Sequence, residues 1–181
     1  MGLSGASTQL IETNAQETSF ARIKVLIFGP NESGGDIYGK RCEIRQKIKE
    51  LGHDADFCED IWNEAALIAS GLNLTVAEYN SARKYDYIVC LMTSPGSMGE
   101  FHDFAKNKKI ASKMMVCIDR QHKDGYTSQG VVRIFEGHNG KTDWFSYPSD
   151  IENCHLSTRV LDQIRKVAEA KQWELATGDM I

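Results

Sequence analysis

Two apolar runs constrain this chain more than any other feature. Ile23–Gly29 (IKVLIFG) is apolar on both faces and closed by a glycine, and Tyr85–Thr93 (YDYIVCLMT) is the other clear strand. A strand with two apolar faces must be covered on both sides, as a central strand of a parallel sheet is. Each run leads into turn formers and then into helical spacing. After the first come PNESGGD and Ile37–Leu51, with apolar Ile37, Cys42, Ile44, Ile48 and Leu51 on one face and Gly52 as the stop. After the second come SPGS and Met98–Lys108, whose Phe101, Phe104 and Ala105 make an inward face.

The remaining segments continue the alternation. Asp54–Asp60 reads as a second strand, Trp62–Ser70 and Thr75–Lys84 as helices broken at Gly71, and Lys113–Asp119 as a further strand. Val131–Glu136 and Thr142–Tyr147 read as two strands around GHNGK, with Asn139-Gly140 as a hairpin turn. Ser157–Trp173 is a closing amphipathic helix. The expected fold class is α/β: a flavodoxin-like or Rossmann-like parallel sheet of about five strands with helices on both faces, plus a C-terminal hairpin and helix. Residues 1–21 are polar and read as a flexible tail, leaving 22–181 as a single domain.

Composition excludes several classes. With 25 acidic and 21 basic residues the net charge is −4, which argues against a duplex nucleic acid partner. No apolar run approaches the roughly 18 residues of a membrane helix. The start lacks a signal-peptide core and carries Ala6 where a myristoylation pattern has Ser or Thr. The five cysteines are scattered, odd in number and partly within apolar runs, as free thiols in a reducing cytoplasm are. None is spaced for zinc, and the Cys154-His155 pair cannot fill four coordination positions. The expectation is a cytoplasmic protein with no metal site, no required cofactor and no membrane contact.

In sheets of this type ligands bind beyond the carboxyl ends of the strands, so two loops become candidates. The first holds Gly29, Pro30, Asn31, Ser33 and Gly34, where glycines admit a phosphate or ribose to the backbone, and Lys40 and Arg41 could add charge. It has neither a Walker loop nor a Gly-x-Gly-x-x-Gly pattern. The second is Thr93-Ser94-Pro95-Gly96-Ser97-Met98-Gly99-Glu100. Ser97 and Glu100 alone match a capping box. That does not require Ser94, Gly96 or Gly99, and a glycine in a first helical turn costs up to about 1 kcal/mol against alanine. The pattern therefore predicts a close approach by a ligand. A Glu in the first turn of a helix is favoured as the anion. It suits attack on, or stabilisation of, a sugar carbon in an oxocarbenium-like transition state.

These residues resemble the nucleoside deoxyribosyltransferase-like group, which includes nucleotide N-glycosidases and effectors of bacterial anti-phage systems. The resemblance runs through KVLIFG, YDYIVCLMTSPGSMGEFHDFA and the strand after it, roughly Lys24–Asp119, and centres on Ser94-Pro95-Gly96-Ser97-Met98-Gly99-Glu100. The TIR domains of NAD-cleaving enzymes have a similar layout, although the Trp they carry before the Glu is missing here. The resemblance implies Glu100 as catalytic nucleophile, and Ser94, Gly96 and Ser97 as ribose or phosphate ligands. It sets the first loop against base or phosphate and makes Glu78 a second acid, with Asn73 and Asn80 nearby. It also implies a role in anti-phage defence and a homodimer or higher homo-oligomer with a shared site.

Weaker candidates are Asp103 as acid or base, Asp119 as a ribose ligand, and His102, which reads as a surface residue. Trp144, Phe145 and Tyr147 could stack on a base but alternate as core positions do. The polar segment from His122 to Gly130, with Tyr126, could act as a lid. The expected function is cleavage or transfer at C1′ of NAD or a (deoxy)nucleotide. NAD suits a site without an evident proton donor, because its nicotinamide already carries the positive charge. The alternative is a non-catalytic nucleotide sensor that passes occupancy to a partner effector. Phosphorelay fits poorly, because the third strand ends Met92-Thr93-Ser94 with no aspartate.

Overall fold

The computed structural model describes residues 21–61, 71 and 73–178. The expected tail over 1–21 lies outside these residues except for Ala21, which is buried and so belongs to the folded part, and the expected helix Trp62–Ser70 lies outside them too. The described elements run β1 (Lys24–Phe28), α1 (Gly35–Glu50), β2 (Asp54–Phe57), α2 (Cys58–Ile61), α3 (Leu74–Ala82) and β3 (Tyr87–Met92). They continue with α4 (Pro95–Ala105), α5 (Lys108–Ala111), β4 (Met114–Asp119), α6 (Tyr126–Gln129), α7 (Val131–Gly137), β5 (Lys141–Phe145), α8 (Ser149–Glu152) and α9 (His155–Thr177).

The sheet has five strands in the order β2-β1-β3-β4-β5, with every neighbouring pair parallel. β1 is central, as its two apolar faces require. Val25 and Ile27 point to the side covered by α1 and α9, where they join Ile44, Ile48, Val160 and Ile164. Leu26 and Phe28 point to the side covered by α4 and α7, with Phe101, Phe104 and Phe135. The free thiols are as expected, with Cys58, Cys90 and Cys117 buried and Cys42 and Cys154 half-buried.

The expected C-terminal hairpin is not present. Val131–Gly137 is a helix, with Val131, Val132 and Phe135 buried along one face. β5 is a parallel edge strand beside β4, not an antiparallel partner of residues 131–136. Asn139-Gly140 ends α7 instead of turning a hairpin. Asn139 sits at φ 65°, and the Gly140 N–H donates to Phe135 O at 2.9 Å. A left-handed Asn after a helix serves this purpose as well as it serves a tight turn. A side chain on Gly140 would meet the Phe135 ring at 2.3 Å, so the glycine is required by packing. Two boundaries also move. β2 stops at Phe57, with Cys58 already helical, and α4 starts at Pro95, three residues before the expected Met98.

In this strand order the chain leaves β1 toward one edge of the sheet and β3 toward the other. The loops after β1 and β3 therefore diverge and leave a crevice between them.

Candidate active site

The crevice holds a cavity of about 580 Å³, within the usual range for small-molecule sites. One wall is the loop after β1, with Gly29, Pro30, Asn31, Ser33 and Gly34. Asn31 shapes it, its Oδ1 accepting from the Ser33 N–H at 3.1 Å and the Ser33 hydroxyl at 2.6 Å. Gly34 lies against the Pro30 ring, where an added Cβ would stand 2.5 Å from Pro30 Cβ. The other wall is the start of α4, with Thr93, Ser94, Pro95, Gly96, Ser97 and Glu100. Both loops picked out in the sequence are thus brought together around one space.

Arg41 and Lys40 do not supply the free charges expected of them. Arg41, 1% exposed, donates to Ile27 O at 2.7 Å and Pro30 O at 3.1 Å and forms a two-pronged pair with Glu59. It is a strut beneath the loop, and a guanidinium already engaged by three partners has little left for a phosphate. Lys40 pairs with Glu43. Glu59, which lines the cavity, was not anticipated; its one sequence signal is its place just after a parallel strand.

The cap of α4 differs from the expected one, and the difference releases Glu100. Ser94 is the N-cap and Ser97 its reciprocal partner: Ser94 Oγ accepts from Ser97 N–H at 3.2 Å, and Ser97 Oγ accepts from Ser94 N–H at 3.0 Å. A serine pair does the work assigned to Ser97 and Glu100. Ser97, 1% exposed, is structural to the turn, while Ser94 remains half-exposed on the cavity. Gly99 is exposed with open space around it and is not among the residues that line the cavity.

Glu100 has no part in the cap. It lies beyond the first turn of α4, where the N-terminal dipole has faded. Its Oε2 is buried and has no hydrogen-bond partner. Burial, reinforced by the charge of Glu78 and opposed by Arg41, raises its pKa to about 7. The expected permanently ionised carboxylate is therefore replaced by one that titrates near neutrality, because desolvation outweighs the helix terminus. Glu78, 8% exposed on α3, is also raised by burial and then by the charge of Asp103. Ligating atoms of Cys58, Glu78 and Glu100 all lie within 4.8 Å of one another. Two buried carboxyls this close resist double ionisation, so the pair retains a proton near pH 7.

The other candidates do not line the cavity. Asp119 caps the 3₁₀ turn after β4, its carboxylate accepting from the N–H and side-chain amide of Gln121 at 3.1 and 2.9 Å. The Asp103 side chain is exposed, and its main-chain oxygen takes the Tyr79 hydroxyl at 2.6 Å. Asn73 caps α3, and Asn80 is exposed. His102 is half-buried and bonds the Thr127 hydroxyl at 3.2 Å, tying α4 to α6. Phe145 is core, Trp144 packs beside the core and Tyr147 is half-exposed. The segment expected to form a lid folds on itself, with Ser128 Oγ donating to His122 O at 2.7 Å. The Tyr126 side chain lies outside the described part.

Fold and cavity together define a doubly wound α/β protein with a ligand-sized crevice at its topological switch point, lined by Glu100, with Glu78 close by but outside the lining. The chain belongs to the STM3845 retron effector protein family, whose model matches residues 40–178. Among solved structures it is similar to the CMP N-glycosidase BcmB of Clostridium botulinum, at 12% identity and TM-score 0.44, covering 74% of this chain and 98% of that one. No curated protein matches the sequence. Among the described residues no helix is long and apolar enough to cross a membrane.

Proposed function

We propose that the protein is a nucleotide N-glycosidase or glycosyltransferase that acts at C1′ of its substrate and serves as the effector of a bacterial anti-phage system. The observation that carries this reading is Glu100, set in a cavity between two backbone-rich loops, with one carboxyl oxygen buried and free of any hydrogen bond. A structural carboxyl in such a place would be satisfied by protein donors. Membership of a retron effector family supports the defence role.

In this mechanism the sugar lies across the mouth of α4 against Ser94 and Gly96. The loop Gly29–Gly34 receives the base or phosphate. The ionised form of Glu100 attacks or stabilises C1′ as the bond to the base breaks, and water or another acceptor completes turnover. In the reacting form the proton that Glu100 carries below about pH 7 has passed to Glu78, which leaves Glu100 ionised. The sequence alone favoured NAD because no proton donor was evident. With Glu78 behind Glu100, departure of a neutral base is also served, so NAD and ordinary (deoxy)nucleotides both remain substrates to test.

The test is incubation of the protein with NAD and a panel of ribo- and deoxyribonucleotides, following release of the base. Base release from one of them, abolished in Glu100→Gln, is the expected result. Tight binding of a nucleotide with no release would instead establish a sensor, and full activity in Glu100→Gln would remove the assignment.

A further inference from the structure

Cys58 lies beside the carboxyl pair and has no part in the proposed reaction. It is the first residue of α2, directly after β2, and it is buried. Its Sγ, a Glu78 oxygen and a Glu100 oxygen lie within 4.8 Å of one another, although the three residues come from three different helices. Two further observations indicate that this cluster is incomplete. Glu78, more than nine-tenths buried, makes no hydrogen bond or ion pair among the described residues. Glu100 Oε2 is buried and likewise unpartnered. Three potential ligand atoms thus converge where the described residues supply no donor to Glu78 or to Glu100 Oε2.

We propose that Cys58, Glu78 and Glu100 form a binding site for a thiophilic divalent cation, of which zinc is the representative. Sulfur selects zinc over magnesium or calcium, which prefer all-oxygen sites. Three protein ligands leave a fourth position for water, as in zinc sites that keep an open coordination place. Binding exchanges protons for metal: the Cys58 thiol gives up its proton, and any proton on the carboxyl pair leaves to solvent. The cation then occupies Glu100. If the glycosidase reading holds, zinc is an inhibitor that must leave before Glu100 can meet a sugar. The binding site itself does not depend on that reading. Sequence spacing concealed it, because Cys58, Glu78 and Glu100 are about a helix and a strand apart.

The experiment titrates the metal-free full chain with zinc by calorimetry, and with cobalt by absorption. The expected result is one zinc per chain with micromolar or tighter affinity, and a thiolate-to-cobalt band in the near ultraviolet. Cys58→Ser should abolish the band, and Cys58→Ser and Glu78→Gln should each weaken zinc by more than about tenfold, the smaller loss typical of an outer-shell partner. Cys154→Ser, which removes the thiol beside His155, should change neither. Failure to bind zinc, or zinc binding indifferent to Cys58→Ser, would overturn the site. So would magnesium binding as tightly as zinc. A positive titration in a protein that releases no base would leave the site intact and remove only its inhibitory role.

Discussion

Two half-buried glutamates, on helices that cover opposite faces of the sheet, have opposite surroundings. Glu43 on α1 receives hydrogen bonds from Lys40, Lys47 and the Ser157 hydroxyl, the last from α9. Burial pushes its carboxyl up, but those donors outweigh burial and hold it down at about 2. Glu100 on α4 has burial and a second glutamate as its company, and its carboxyl rises to about 7. The first arrangement stabilises the joint between α1 and α9. The second leaves a carboxyl unsatisfied at a cavity, a state that persists only where the rest of the fold overdetermines it. The contrast separates a structural charge from a chemical one without reference to any relative.

The largest expected effect therefore belongs to Glu100. Glu100→Gln should reduce base release by at least about 1,000-fold, the scale of a lost catalytic carboxyl. Its effect on stability should run the other way. The folded-state pKa lies above the unfolded one, so the wild-type protein loses stability as pH rises from about 4.5 through about 7. The shift corresponds to about 3 kcal/mol. In buffer containing chelator, urea unfolding at pH 8 should show the variant more stable than the wild type by up to that amount, with the difference fading toward pH 4. An equal or lower stability at pH 8 would break the contrast.

Glu43 supplies the opposite case. Glu43→Gln should cost about 3 kcal/mol at pH 7, because it also leaves the 7%-exposed Lys40 without its anion. Since the folded pKa of Glu43 is depressed, its contribution is complete above about 4.5 and is lost as pH falls through about 2. The gap between wild type and variant should close over that interval, while turnover per folded molecule stays unchanged. A comparable loss of turnover would show that the α1–α9 joint shapes the cavity.

What could be read from the sequence follows from the range of the forces involved. The strands, the flanking helices and both loops were legible because apolar burial writes a period into the chain, and Ile23–Gly29 carries it plainly. Val131–Glu136 was misread because Val131, Val132, Ile134 and Phe135 are β-branched or aromatic, the residue types of strands, and Asn139-Gly140 ends either element. The roles of Arg41, Ser97 and Asp119 depended on which acceptor or donor lay nearest in space. Sequence spacing does not encode that. The raised carboxyl of Glu100 had the same origin, since Glu78 arrives from another helix and only the folded chain sets them together.

Glu78 sharpens the comparison from within the acidic region, with a smaller effect. If it holds the proton for a departing base, Glu78→Gln should lower turnover of nucleotides with neutral bases by about 100-fold, the low end for a general acid. NAD, whose leaving group needs no proton, should be affected less. The variant also removes the neighbouring charge that reinforces burial at Glu100, so the acidic limb of the pH–rate profile should move to lower pH. Equal losses for the two substrate classes would make Glu78 a positioning residue for Glu100. A shifted acidic limb with unequal losses would fix it as the proton source, because a packing defect moves both classes together and leaves the limb in place.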